Sequence, residues 1–224
     1  MALPFAGKHC VVVGATGVIG SSIAKAFSHQ GAVISLLGRS ALDARPRLEP
    51  QLRPYSLPGT DTAIAIPTAH QFIRLDASDR EQIKAVFDGT TIGPIDILVN
   101  CAGISQTTLL KRTPDEELSA IVDTNLLATM LICKHAKMRP NGCIINISSL
   151  MATKGGLGAT AYAASKAGVI GFTRALCREM ASRSIRVNAL LPGWVNGSMW
   201  TGMYILPPIS SSIDTQCLFL LYPS

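Results

Sequence analysis

Three side chains in one stretch could handle a proton together: Ser149, Tyr162 and Lys166, within Ser149-Leu-Met-Ala-Thr-Lys-Gly-Gly-Leu-Gly-Ala-Thr-Ala-Tyr162-Ala-Ala-Ser-Lys166. Such a trio allows proton transfer to a carbonyl oxygen. A phenol titrates near ~10, too weak an acid for neutral pH. Lowering it by roughly three units needs about 4 kcal/mol of preference for the phenolate. One ammonium about 4 Å away supplies roughly that at an effective dielectric of ~20. Lys166 is therefore expected to make Tyr162 a usable acid. The Ser149 hydroxyl would orient the substrate oxygen and stabilise charge developing on it. Ser148 is the rival serine, but the spacing to Tyr162 favours Ser149. The plainer reading of Tyr-x-x-x-Lys is a helix surface pair with its ring packed.

The elements around the trio must bring it to a sheet edge. Cys143 to Ser148 is an apolar run that predicts a buried strand, and Ala161 to Ala181 predicts a helix. Tyr162 and Lys166, four apart, then share one helix face. Near the amino end, the apolar run Lys8–Val13 ends in Gly14-Ala-Thr-Gly17-Val-Ile-Gly20 before a helical pattern over Ser21–Gln30. Strand, glycine loop and helix together make a phosphate cradle, since backbone N–H groups at a helix start meet negative charge. Further strands are expected at Ala32–Leu37, Gln71–Leu75, Ile95–Val99 and Ile185–Leu191. A helix is expected from Pro114 to about Met138. Between Asp43 and Thr68, Pro46, Pro50, Pro54, Pro58 and Pro67 predict an irregular surface excursion with no regular helix over most of its length.

A chain of 224 residues with 48% hydrophobic content can bury a full core as one domain. The charge of +6 comes from scattered residues. It suits an anionic cofactor or acidic partner and is too diffuse for nucleic acid. The cysteines show no metal-ligand spacing, and several fall inside apolar strands, so they read as reduced thiols of an intracellular protein. The amino terminus shows no signal core or clear transit peptide, and no apolar run would span a membrane. A cytoplasmic or mitochondrial-matrix location follows as the expectation.

Together with Asn100-Cys-Ala-Gly103, Thr124-Asn125-Leu-Leu and Pro192-Gly193, these motifs strongly resemble the short-chain dehydrogenase/reductase family over roughly Gly7 to Val195. The resemblance implies an α/β Rossmann fold, a doubly wound parallel sheet of strand order 3-2-1-4-5-6. It implies catalytic roles for Asn125, Ser149, Tyr162 and Lys166. In that family the matching tyrosine is the general acid/base, and the matching asparagine holds the lysine and a proton path through water. Cofactor contacts are implied at Gly14, Thr16, Gly17, Ile19 and Gly20, then at Arg39, Ser40, Asp76 and Ala77. They continue at Asn100, Ala102 and Gly103, at Tyr162 and Lys166, and at Pro192, Gly193 and Val195. The residues after the second strand favour NADP(H) over NAD(H): a guanidinium at Arg39 can grip a 2′-phosphate that an acid would repel. A solvated arginine is the alternative there. For Asp76 the alternative is a turn former, with Ser78 or Asp79 capping the next helix.

The chain also departs from the family. Val18 stands where the commonest glycine loop has a glycine, and Gly197 where a threonine is usual. After Val195 no seventh strand with its Asp-Gly-Gly turn is legible. The expectation is a reductase domain over 1–195, an atypical tail over 196–224 as in a C-terminally truncated member, and a sixth strand left as a bare edge.

The run from Tyr162 to Asn188 resembles 3-oxoacyl-acyl-carrier-protein reductases. That implies NADPH-dependent reduction of a 3-oxoacyl thioester in fatty acid biosynthesis, with Arg183 and Arg139 meeting the acidic carrier. The alternative for both arginines is a solvated helix end. The rival functions are reduction of free small carbonyls such as quinones or steroids, and a catalytically silent Rossmann subunit. Helices at 115–138 and 161–182 resemble the family's dimerisation helices, implying a homodimer or homotetramer.

Overall fold

The computed structural model describes residues 3–55, 67–106, 108–195 and 218–220. Strand β1 (His9–Val13) is buried along its whole length, as are β2 (Val33–Gly38) and β4 (Ile95–Asn100). Continuous apolar runs of this kind form parallel strands covered on both faces. With β3 (Gln71–Arg74), β5 (Met138–Ile147) and β6 (Arg186–Leu191) they make a parallel sheet in the order β3-β2-β1-β4-β5-β6.

Alternate strand residues face opposite layers. Val11, Leu98 and Ile144 pack with α3 (Arg80–Val86), α5 (Ala128–His135) and α7 (Thr160–Met180). Cys10, Val12 and Ile34 pack with α1 (Val18–His29) and α2 (Ala41–Leu48). The strand order reverses between β1 and β4, so the connections leaving them diverge and open a crevice at the carboxyl edge. The register aligns Val13 with Leu37 and Asn100, and Asn100 with Asn146, so the loops leaving these strands rise from one level.

Three expectations need correction. The helix expected to reach Met138 is α4 (Asp115–Val122), a π turn over Asp123–Leu127, and α5, which ends at His135. Met138 opens β5 and pairs with Ile95 instead. The proline-rich excursion begins as a helix: α2 runs through Pro46 and continues as a 3-10 turn, Glu49–Gln51. A mid-helix proline costs about 3 kcal/mol. Burial of Ala41, Ala44 and Leu48 and an exposed Arg45–Glu49 pair oppose that cost. Residues 56–66 of the excursion lie outside the described residues. The sixth strand is not a bare edge either. A short β7, Leu218–Leu220, pairs antiparallel to it, with Leu191 opposite Leu218. Its unpaired backbone groups thereby gain partners. Among the described residues, no helix is long and apolar enough to cross a membrane.

The amino-terminal edge of the sheet is pinned by buried His9. Its Nδ1 lies 2.9 Å from the Pro94 carbonyl oxygen, so Nδ1 must carry the proton, and Nε2 is 2.8 Å from Ser35 Oγ. Asp96 accepts the His9 backbone N–H at 2.9 Å and pairs with Lys8 and Arg139. Burial lowers the imidazole pKa from its ordinary 6.5, against opposing contributions from the Pro94 carbonyl and Asp96, while Arg139 adds to the lowering. A histidine held neutral contributes stability that is present above 6.5 and is lost as pH falls through the folded value. Melting temperature should therefore drop between pH 7 and pH 5, and the drop should be smaller in His9→Gln. Equal slopes in the two proteins would show that His9 is not the group responsible.

Candidate active site

Tyr162 sits in the first turn of α7 and Lys166 one turn later, both buried. Lys166 Nζ lies 5.9 Å from the Tyr162 ring centre and donates to the Ile147 carbonyl at 2.9 Å. Ser149 follows β5 and hydrogen-bonds the Tyr162 phenol through its hydroxyl. Ser148 turns the other way, its hydroxyl donating to the Lys166 carbonyl at 2.7 Å. The two candidate serines thus separate: Ser149 faces the phenol, and Ser148 ties β5 to α7.

The electrostatics differ from the sequence expectation. Burial pushes the Tyr162 phenol above its ordinary range; the Ser149 hydrogen bond pulls it back, and Cys101 adds to the rise. Burial pushes Lys166 down to about 8, with Cys101 opposing. The net shift of the phenol is upward because the cost of burying a phenolate outweighs the hydrogen bond that favours it.

Asn125 lies in the π turn, fully engaged. Its Oδ1 accepts the Ile104 N–H at 2.8 Å, and its Nδ2 donates to the Ile104 carbonyl and Ser165 Oγ, each at 3.0 Å. Its own carbonyl accepts the Thr129 hydroxyl at 2.9 Å. Asn125 therefore holds the loop after β4 against α7. A Cβ on Gly103 in that loop would stand 3.0 Å from Asn125 Oδ1 and 3.3 Å from Lys166 Nζ, so no larger residue fits without moving them. Asn100 points down into the sheet, donating to Asn146 Oδ1 at 2.9 Å. Asn146 in turn donates to Thr173 Oγ1 at 3.0 Å.

The trio opens onto a cleft of about 140 Å³ that also takes in Gly14, Gly17, Ile19 and Gly20 on one side and Pro192, Gly193 and Val195 on the other. The glycine turn is closely built. Gly14 has φ +80°, and a Cβ there would meet the Ala102 nitrogen at 2.6 Å. A Cβ on Gly20 would meet the Gly14 carbonyl oxygen at 2.3 Å, whereas one on Gly17 finds its nearest protein atom at 3.6 Å. Nothing in the protein itself requires a glycine at 17. Helix α1 begins there with no side-chain cap and no acid in its first turn, leaving its N–H groups and positive dipole end to face the cleft. This cradle fits the pyrophosphate of a dinucleotide.

The other candidates lie farther out. Ser40 Oγ donates to Thr16 Oγ1 at 3.1 Å, beside exposed Arg39. Asp76 accepts Ser78 N–H and Oγ–H, which hold its carboxyl below the ordinary range, and Asp79 caps α3. Asp76 is thus a turn former as well as a candidate contact, and Ala77 packs against the core. Arg183 donates to the Met138 carbonyl beyond the end of α7, roughly 30 Å from Tyr162 by helical rise. Neighbouring Arg139 pairs with Asp96. Gly197 lies outside the described residues.

Sequence reasoning passed over Cys101 and Ile147, which line the cleft, and buried Gln106 and Ser165, which brace α7. Ile147 contributes a backbone carbonyl, which no side-chain pattern marks. Gly17→Ala should keep the melting temperature within a few degrees while weakening dinucleotide binding at least tenfold. Gly20→Ala should cost about 2 kcal/mol or more of stability through its clash with backbone. Fluorescence titration and thermal melts distinguish the two, and unimpaired binding by Gly17→Ala would place the phosphates elsewhere.

The comparisons agree with this geometry. The family model described as short chain dehydrogenase matches residues 8–204. The carbonyl reductase family member 4 of Danio rerio is 37% identical over 198 residues, covering 86% of this chain and 78% of that protein. The 3-oxoacyl-acyl-carrier-protein reductase of Mus musculus is 32% identical over 197 residues, covering 86% and 77%. A dehydrogenase/reductase crystal structure from Sinorhizobium meliloti 1021 superposes with a TM-score of 0.76 at 28% identity, over 88% of this chain and 76% of that one. The chain belongs to the short-chain dehydrogenase/reductase family, and is an oxidoreductase acting on the CH–OH/C=O pair.

Proposed function

We propose that this chain reduces a 3-oxoacyl thioester, presented by an acyl carrier protein, to the 3-hydroxyacyl form with NADPH. The observation that carries the reading is the Ser149–Tyr162 hydrogen-bonded pair beside buried Lys166, at the rim of a cleft whose far wall is the glycine turn. The bound nicotinamide would supply the hydride to the carbonyl carbon. Tyr162 donates its proton to the carbonyl oxygen as charge develops there, and the Ser149 hydroxyl donates a hydrogen bond to the same oxygen. A phenol raised by burial is neutral at physiological pH, the state a proton donor needs in the reductive direction. Lys166, charged below about 8, stabilises the phenolate left behind, and Asn125 keeps the loop after β4 against α7 during proton return.

The choice of NADPH rests on Arg39, exposed at the end of β2 with no acid beside it on that turn. The carrier-linked substrate is supported by relatives that bear that name and by adjacent Arg183 and Arg139, a basic patch suited to an acidic partner. A second reading, reduction of free small carbonyls, is favoured by the 37% identity to a carbonyl reductase. A homodimer or larger assembly is supported by Ala164, Ala167, Gly171 and Ala175, small exposed residues along α7 that permit close helix packing.

NADPH oxidation with an acetoacetyl thioester is the direct test. Turnover should fall at least a thousandfold in Tyr162→Phe. In the parent protein it should decline as pH rises through about 8, where Lys166 loses its charge. A fully active phenylalanine variant would end the mechanism. Acceleration by added carrier protein separates the thioester reading from the free-carbonyl one, and no turnover of any carbonyl would leave a silent subunit. Arg39→Ala should weaken NADPH binding about tenfold and leave NADH binding unchanged. Equal effects on both would remove the argument for NADP.

A further inference from the structure

Helix α7 carries the acid and the lysine, yet it starts without a local cap. Its N-cap residue is Ala159, whose side chain cannot accept a hydrogen bond. The amides at the second and third helical positions are normally bound by an N-cap oxygen. Here those positions are Ala161 and Tyr162 itself. Both amides point to one atom, Gln106 Oε1, at 2.8 and 3.4 Å, supplied from a loop 55 residues earlier.

The orientation of that side-chain amide is dictated by its partners. Two N–H donors face one end, so that end is oxygen. The other end faces the Thr108 carbonyl at 2.9 Å, so it is the amino group, which also reaches Thr113 Oγ1 at 3.1 Å and Thr160 Oγ1 at 3.4 Å. Gln106 is fully buried, with every polar atom of its side chain engaged. Its loop also contains Gly103 and Ile104, which meet Lys166 and Asn125.

We infer that Gln106 is a positioning residue, a remote cap that fixes the first turn of α7 and thereby the reach of the Tyr162 hydroxyl toward the substrate oxygen. Lys166 does not depend on this cap. It sits a turn deeper, held through its ammonium by Ile147 and through its carbonyl by Ser148. Loss of the cap frays Tyr162 and leaves Lys166 and the glycine cradle in place. The chemical step should suffer while dinucleotide binding does not. The catalytic part of this inference rests on the role proposed for Tyr162.

The test compares the parent protein with Gln106→Ala and Gln106→Glu by amide hydrogen exchange, NADPH titration and reduction kinetics. In Gln106→Ala, exchange at Ala161 and Tyr162 should speed up at least tenfold, with Val169 unchanged. The kcat should fall roughly 10- to 100-fold and the NADPH Kd stay within about twofold. Gln106→Glu keeps an acceptor for both amides, so their protection should persist. Its added negative charge at the start of α7 should raise the Lys166 pKa and move the alkaline limb of the rate profile upward from about 8. Protected amides in the alanine variant, or freed amides with undiminished kcat, would overturn the inference. If the alanine variant does not fold, the glutamate variant decides, and an unmoved limb counts against it. Absence of turnover in the parent protein would instead defeat the role of Tyr162, leaving the exchange result to judge the cap.

Discussion

The constraint on which the site depends is a lysine ammonium held out of water. Lys166 is buried, and its protein acceptor is the carbonyl of Ile147, the last residue of β5. A charge in that setting is costly, which is why burial brings its pKa down to about 8. The surroundings are arranged to tolerate it. Gly103 presents no side chain, Asn125 sets an amide oxygen nearby, and Ser148 ties the backbone of Lys166 to the strand. A group kept half-ready to lose its proton is poorly suited to stability and well suited to proton handling.

That arrangement works only because three loops meet at one level. The parallel ladders end together, so the turns after β1, β4 and β5 emerge side by side where the strand order reverses. Contacts between the turns are then close enough to exclude side chains. The Gly14 turn lies against Ala102, and Gly20 against the Gly14 carbonyl. Beneath them Asn100, Asn146 and Thr173 link β4, β5 and α7 by buried hydrogen bonds. A polar network of this kind fixes the depth of α7 relative to the sheet more sharply than apolar packing does.

The π turn in the helix pair before β5 follows the same logic. An extra residue per turn at Asp123–Leu127 re-aims Asn125 into the gap between the β4 loop and α7, where its amide reaches Ile104 and Ser165. Irregular helical turns of this type recur at functional sites because they turn one side chain out of register. The ordinary helical pattern of the sequence contains no sign of it, since the partners lie 21 and 40 residues away.

Much of the molecule was legible beforehand. Apolar runs ending in Gly14, Asn100, Ser148 and Pro192 marked strands and their turns, because burial on both faces demands continuous apolar sequence and sharp turns demand small residues. The four-residue spacing of Tyr162 and Lys166 put them on one face, because helical geometry is local. The helix through Pro46, the strand starting at Met138 and the pairing of β7 were not legible, because each is decided by contacts made across the sheet.

Residue types and spacings along the chain settled which groups could take part in proton transfer and which turn could cradle phosphate. Only the packed structure decided which serine faces the phenol, which distant amide caps its helix, and that burial raises the phenol rather than lowering it. Hydrogen-bond partners and desolvation belong to segments far apart in sequence, and they exist only once those segments have closed on one another.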